Sequence, residues 1–143
     1  MGALDPVIAQ RVADVLALPV FRDLYGVAID ELRPGLVAAH IDLRPDLGHA
    51  PGWFHGTVTS ALAETVGTLA CATLLGSDVS LATIEQSIQF VGPAQGDRLI
   101  GRGSVVRAGR DLSFASAKIH VRRGDAKRLC ATMTLTCRHG RRD

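Results

Sequence analysis

Glu64 is the only charged residue among the nineteen that separate Gly56 from Gly76, in TVTSALAETVGTLACATLL. Helical spacing places Thr57, Ser60, Glu64, Thr68 and Cys71 on one face of that stretch, so its polar residues form a narrow stripe centred on the carboxylate. Burying a carboxylate without a partner is costly, or leaves it protonated. Glu64 therefore pairs with an arginine, reaches the rim of a subunit interface, or does chemistry. A positioned carboxylate can attack an electrophilic carbon or take a proton from water. Gly56 supplies a complementary group. It stands at the helix start, where backbone N–H groups lack partners and the dipole is positive, and without a Cβ it lets an oxyanion approach.

The segment before the helix, DLGHAPGWFHG, is too rich in Gly, Pro and His to be a plain spacer. His49 is either a surface histidine or a neutral imidazole able to donate one hydrogen bond. His55 orients the loop through a backbone bond or touches a ligand. Trp53 and Phe54 line an apolar pocket or cover an interface. Thr83 lies on the first strand after the helix and on sequence alone is a strand threonine.

The elements that hold these residues follow from periodicity. Asp5-Pro6 reads as an N-cap with proline at N1, and apolar spacing predicts a helix over about 6–17, ended by Pro19. Residues 20–26 form a helical turn or loop. GVAIDEL and LVAAHIDL read as strands around the turn at 33–35, and the central helix runs over about 56–75. Four strands follow: LATIEQSIQFV, RLIGRGSVVRA, LSFASAKIHVR and RLCATMTLTCR, the last three antiparallel neighbours across short turns. The predicted fold class is α+β, a single domain of 143 residues in which an antiparallel sheet wraps a long helix. Such a helix carries more apolar surface than one sheet face covers, which predicts self-association.

The bulk numbers exclude several classes. With 47% hydrophobic and 21% charged residues the chain is globular rather than disordered. A net charge of +2 is too small to indicate nucleic acid, and the Arg-rich end, CRHGRRD, reads as a solvated tail. Cys71, Cys130 and Cys137 show no metal or redox spacing and fit a reducing, cytoplasmic setting. No signal peptide is recognisable. The six Thr and Ser and the central Glu of the long helix argue against a membrane span.

The stretch 46–65, DLGHAPGWFHGTVTSALAET, resembles the motif of hotdog-fold acyl-CoA thioesterases of the phenylacetate-pathway and 4-hydroxybenzoyl-CoA type. Those carry a loop Asn or Gln, a Gly three residues on, then His-Gly-Gly, and an Asp or Glu nine residues after that His. The counterparts here are His49, Gly52, His55-Gly56-Thr57 and Glu64, with Thr68 one turn beyond the acid. The resemblance spans roughly Tyr25 to His139. His49 stands in place of the amide and Thr57 in place of the second glycine. The resemblance implies a hotdog fold with an N-terminal helix in front, and hydrolysis of an acyl-CoA to free acid and CoA. Glu64 is then the nucleophile or general base and the Gly56 N–H the oxyanion donor. His49, His55 and Thr68 support the chemistry, and Gly52, Trp53, Phe54, Thr57 and Thr83 meet the substrate. In that family the acid and the glycine come from opposite subunits, so a dimer or dimer of dimers is implied. No cofactor is implied, since CoA is part of the substrate, and neither a nucleic-acid nor a membrane partner is expected. Arg102, Arg107, Arg110, Arg122, Arg123 and Arg128 are candidates for CoA phosphates or a solvated sheet edge. Two other readings stay open: a hotdog hydratase or dehydratase, from the fifteen-residue His49-to-Glu64 spacing, and an acyl-CoA-binding protein without catalysis.

Overall fold

The structure, a computed structural model, describes residues 2–141. The last two residues of the Arg-rich end lie outside that range. The chain folds as α1 (Pro6–Leu16), a π-helical turn (Val20–Tyr25), β1 (Ala28–Arg33), β2 (Leu36–Asp42), a 3-10 turn (Pro45–Leu47), α2 (Gly56–Ala72), β3 (Val79–Phe90), β4 (Arg98–Ala108), β5 (Leu112–Arg123) and β6 (Ala126–Arg141). The α1 cap is built as its sequence dictates: the Asp5 carboxylate accepts from the Val7 N–H at 2.8 Å, with proline in the first turn. Ile8 and Val12 are the buried residues of α1. Arg11 reaches across from α1 to donate to the carbonyls of Gly76, at 3.2 Å, and Val79.

The strands form one antiparallel sheet in the order β1-β2-β4-β5-β6-β3. β4, β5 and β6 are neighbours, as their short connections require. The strand that precedes them does not extend that meander: β3 passes to the far side and pairs with β6 from Val79↔Arg141 to Phe90↔Ala131. Alternation sets the inner face of β5, where Ala115, Ala117, Ile119 and Val121 are all buried. Small residues here, with Ala39, Gly101 and Gly103 beside them, bring α2 directly onto the sheet.

α2 ends at Ala72 rather than near 75. The Thr73 hydroxyl donates to the Ala70 carbonyl at 2.6 Å and accepts the Gly35 N–H at 2.7 Å, so residue 73 closes the helix and ties its end to the β1–β2 turn. The burial of α2 corrects the premise for self-association. Val58, Leu62, Ala63, Val66, Leu69, Ala70 and Cys71 are all covered within one chain. What stays partly or fully exposed is Gly56, Thr57, Ser60, Ala61, Glu64 and Thr68, which is the polar stripe without Cys71 and with Gly56 and Ala61 added. One stretch of uncovered apolar surface lies on and beside edge strand β3. There Ile84, Phe90 and Val91 are more than half exposed, although Ile84 and Phe90 alternate as an inward face would. A register shift between Thr83 and Glu85 interrupts the alternation at Ile84; beyond it Ile88 and Phe90 pair with buried Met133 and Ala131, so Phe90 lies on the α2 side of the sheet but is left uncovered.

Candidate active site

The 3-10 turn and the loop to α2 are fixed by backbone bonds: His55 N–H to Leu47 O at 2.9 Å, Phe54 N–H to Ala94 O at 3.0 Å, and Gly96 N–H to Gly52 O at 2.9 Å. Trp53 bridges both Ala50 and Gln95. The loop therefore delivers His55 to the N-cap of α2. There His55 Nδ1 accepts from the Thr57 N–H at 3.1 Å and lies 2.8 Å from the Thr57 hydroxyl. Because a backbone N–H donates to Nδ1, the ring proton of the neutral imidazole sits on Nε2. His55 thus bonds the backbone of the helix start.

This cap consumes the Thr57 N–H, while the Gly56 N–H has no acceptor among the described residues. The ring of Phe90 flanks it: a Cβ built on Gly56 would stand 3.5 Å from Cε1 and Cζ. The exposed His49 ring lies 5.9 Å from that of Trp53 and 6.1 Å from that of His55, so all three rings gather before the helix. Phe54 does not join them. It is 2% exposed and packs in the core.

Glu64 lies on the outward stripe, partly exposed, and no arginine pairs with it among the described residues. The Thr68 hydroxyl turns back onto its own helix, donating to the Glu64 carbonyl at 2.8 Å. It does not bond the carboxylate. Cys71 and Cys137 meet behind this point. Their mutual hydrogen bond, then burial, pushes the Cys71 thiol far above its usual range. Thr83 pairs with Cys137 across β3 and β6, and Cys71, ahead of Thr83, holds the Cys137 thiol below its usual range. Cys130 donates to the Ile119 carbonyl at 3.3 Å, and burial pushes its thiol up to about 11. All three cysteines are buried and free. Phe90 escaped the sequence reading because its place beside Gly56 depends on where β3 docks. Among the described residues no three His, Cys, Asp or Glu side chains converge as metal ligands, and no helix is long and apolar enough to cross a membrane.

The Gly56 N–H at the capped helix start and the Glu64 carboxylate farther along thus share the outward stripe of α2. The chain belongs to the thioesterase superfamily, whose family model matches residues 51–130. It is a thioester hydrolase on a hotdog fold. A thioesterase family protein from Silicibacter pomeroyi is 30% identical, with a TM-score of 0.89 over 94% of this chain and 99% of that one. A thioesterase from Haemophilus influenzae shares the fold at 20% identity and a TM-score of 0.78, over 99% and 92% of the two chains. A phenylacetic acid degradation-related protein from Ralstonia eutropha does so at 21% and 0.77, over 92% and 98%. A search of curated proteins gives no match.

Proposed function

We propose that the chain hydrolyses acyl-CoA thioesters at sites shared between two copies. The observation that carries this is the outward stripe of α2, which presents an unengaged N–H at Gly56 and a carboxylate without a cation at Glu64. They are eight residues apart, about 12 Å of helix at 1.5 Å per residue. Reacting atoms must lie about 3–3.5 Å apart, so one thioester cannot use both groups of a single chain. Two helices packed antiparallel bring the Gly56 of each beside the Glu64 of the other. Exposed Ile84, Phe90 and Val91 on the β3 side supply apolar surface for that contact.

Glu64 then takes a proton from water as the oxygen bonds the thioester carbon. The carbonyl electrons move to the oxygen held by the Gly56 N–H, and collapse breaks the C–S bond and releases the CoA thiolate. In the alternative order Glu64 attacks first and water opens the resulting anhydride. Both routes need the carboxylate. Glu64→Gln lowers kcat by roughly 10³-fold and leaves acyl-CoA binding and the melting temperature in place. Turnover at the wild-type rate by folded Glu64→Gln refutes the assignment.

A further inference from the structure

Three cavities adjoin in series from the candidate site outward. The first, of about 480 Å³, is lined by Leu43, His49, Pro51 and Gly52 among others. The second, of about 420 Å³, shares Leu43, Pro51 and Gly52 and ends at Gln95, Arg123 and Asp97, whose carboxylate is paired with Arg122. The third, of about 80 Å³, shares Gln95 and Arg123 and adds Arg128. The Gly52 O to Gly96 N–H bond joins the two segments that form the groove floor. It begins beside the loop that caps α2 and terminates on two guanidinium groups.

Those two groups differ from the other arginines nearby. Arg98 is bidentate to Asp42 at 2.5 and 3.1 Å, Arg102 meets Glu31 at 2.8 Å, and Arg122 lies 3.4 Å from Asp97. Arg123 and Arg128 are exposed and have no carboxylate or hydrogen-bond partner among the described residues. The surrounding segment 121–130 holds Arg122, Arg123, Lys127 and Arg128 against Asp125 alone. An apolar run that leads to unspent, planar, phosphate-matching donors fits a ligand with an uncharged arm and a polyanionic end.

We infer that Arg123 and Arg128 bind the phosphates of the CoA nucleotide, with the pantetheine arm lying in the groove past Pro51 and Gly52. This rests on the acyl-CoA reading above and extends it: the enzyme reads the carrier as well as the acyl thioester. Arg102 and Arg122, already paired with carboxylates, are the less available donors. The arginines act on binding and leave the chemical step untouched.

The test compares one acyl group carried on CoA, on 3′-dephospho-CoA and on pantetheine, with calorimetric binding of free CoA. In R123A/R128A the KM for acyl-CoA rises about tenfold, while kcat and the KM for acyl-pantetheine stay within about twofold. Free CoA binds correspondingly more weakly. R123K/R128K keeps the charges and recovers part of the loss, and added salt narrows the gap between wild type and R123A/R128A. The inference is overturned if R123A/R128A binds CoA as wild type does, if wild type fails to bind free CoA, or if KM rises equally on all three carriers. These outcomes are separate from Glu64. Weakened CoA binding in R123A/R128A beside full hydrolysis by Glu64→Gln upholds the groove and removes the catalytic assignment. Equal hydrolysis of all carriers by wild type does the reverse.

Discussion

Gly103→Ala tests the packing that aims the site. Gly103 lies on β4 where α2 crosses it, and a Cβ there would stand 2.3 Å from Val66 O, 2.4 Å from Val66 C and 2.7 Å from Gly67 N. Real Cβ contacts essentially never fall under 3.0 Å. The obstacle is helix backbone, which cannot rotate away as a side chain can. α2 must therefore retreat by about 0.7 Å or more, against a face that buries Val58, Leu62 and Val66. Overpacking ordinarily costs about 1–3 kcal/mol, and a backbone obstacle places this substitution at about 2–4 kcal/mol. For a chain of this size that is a fall in melting temperature of about 5–15 °C. Because the same helix carries Gly56 and Glu64, a shift approaching 1 Å lowers turnover by about 10²-fold in whatever fraction stays folded. Urea unfolding and acyl-CoA hydrolysis on one preparation measure both effects. Gly124→Ala is the control. Its φ of 57° strains any side chain but nothing lies within 4 Å, so it costs about 1–2 kcal/mol and spares turnover. A Gly103→Ala protein within about 0.5 kcal/mol of wild type refutes the close approach of helix and sheet.

Three further outcomes follow from the same geometry. Gly56→Ala meets only the Phe90 ring at an ordinary 3.5 Å, so it folds, yet it crowds the oxyanion and lowers kcat by about 10–100-fold; unchanged kcat removes the Gly56 N–H from the mechanism. His55→Ala loses the α2 N-cap and about 1 kcal/mol, whereas His55→Asn keeps an acceptor there and most of the stability, a difference read from denaturation midpoints. Burial, then Lys127 and Lys118, hold the His120 imidazole below its usual 6.5. The unfolded chain therefore binds that proton more readily. The His120 contribution is complete above about 6.5 and declines as the pH falls through the lowered value. His120→Gln flattens that part of the stability–pH curve; an unchanged slope in the variant contradicts this.

Local signals were legible in the sequence and non-local ones were not. Asp5-Pro6 announced a helix start because a cap is made within two residues. The run from Ala115 to Val121 announced an inner face because its alternation has one buried side. The carboxylate stripe of α2 was visible for the same reason, and the order of elements sufficed for a sheet wrapped around a long helix, which the resemblance of residues 46–65 identified with the hotdog fold. Pairing partners depend on tertiary docking. β3 pairs with β6 rather than with β4, the strand that follows it, and a register shift at Ile84 breaks an alternation that its sequence shows as unbroken. The covering of α2 was misjudged because small residues on the strands let one sheet enclose more of the helix than its length implied. Phe54 looked like a pocket aromatic because its neighbours Trp53 and His55 do gather at the site, and only burial separates them. Which arginines are engaged could not be read at all, since Glu31 and Asp97 reach Arg102 and Arg122 across strands or from a loop.

The place of β3 at the sheet edge, beyond β6, also sets the order in which the molecule can be completed. Residues 79–90 have no strand to join until residues 131–141 exist, because β6 stands between β3 and the rest of the sheet. During synthesis β3 leaves the ribosome about fifty residues ahead of its partner, with Ile84 and Phe90 uncovered and an unpaired edge on both sides. The docking of β3 is therefore a long-range closure, slower than the formation of the β4–β5–β6 hairpins. Truncation within β6 would leave β3 undocked and, with it, Phe90 absent from Gly56 and Thr83 absent from Cys137.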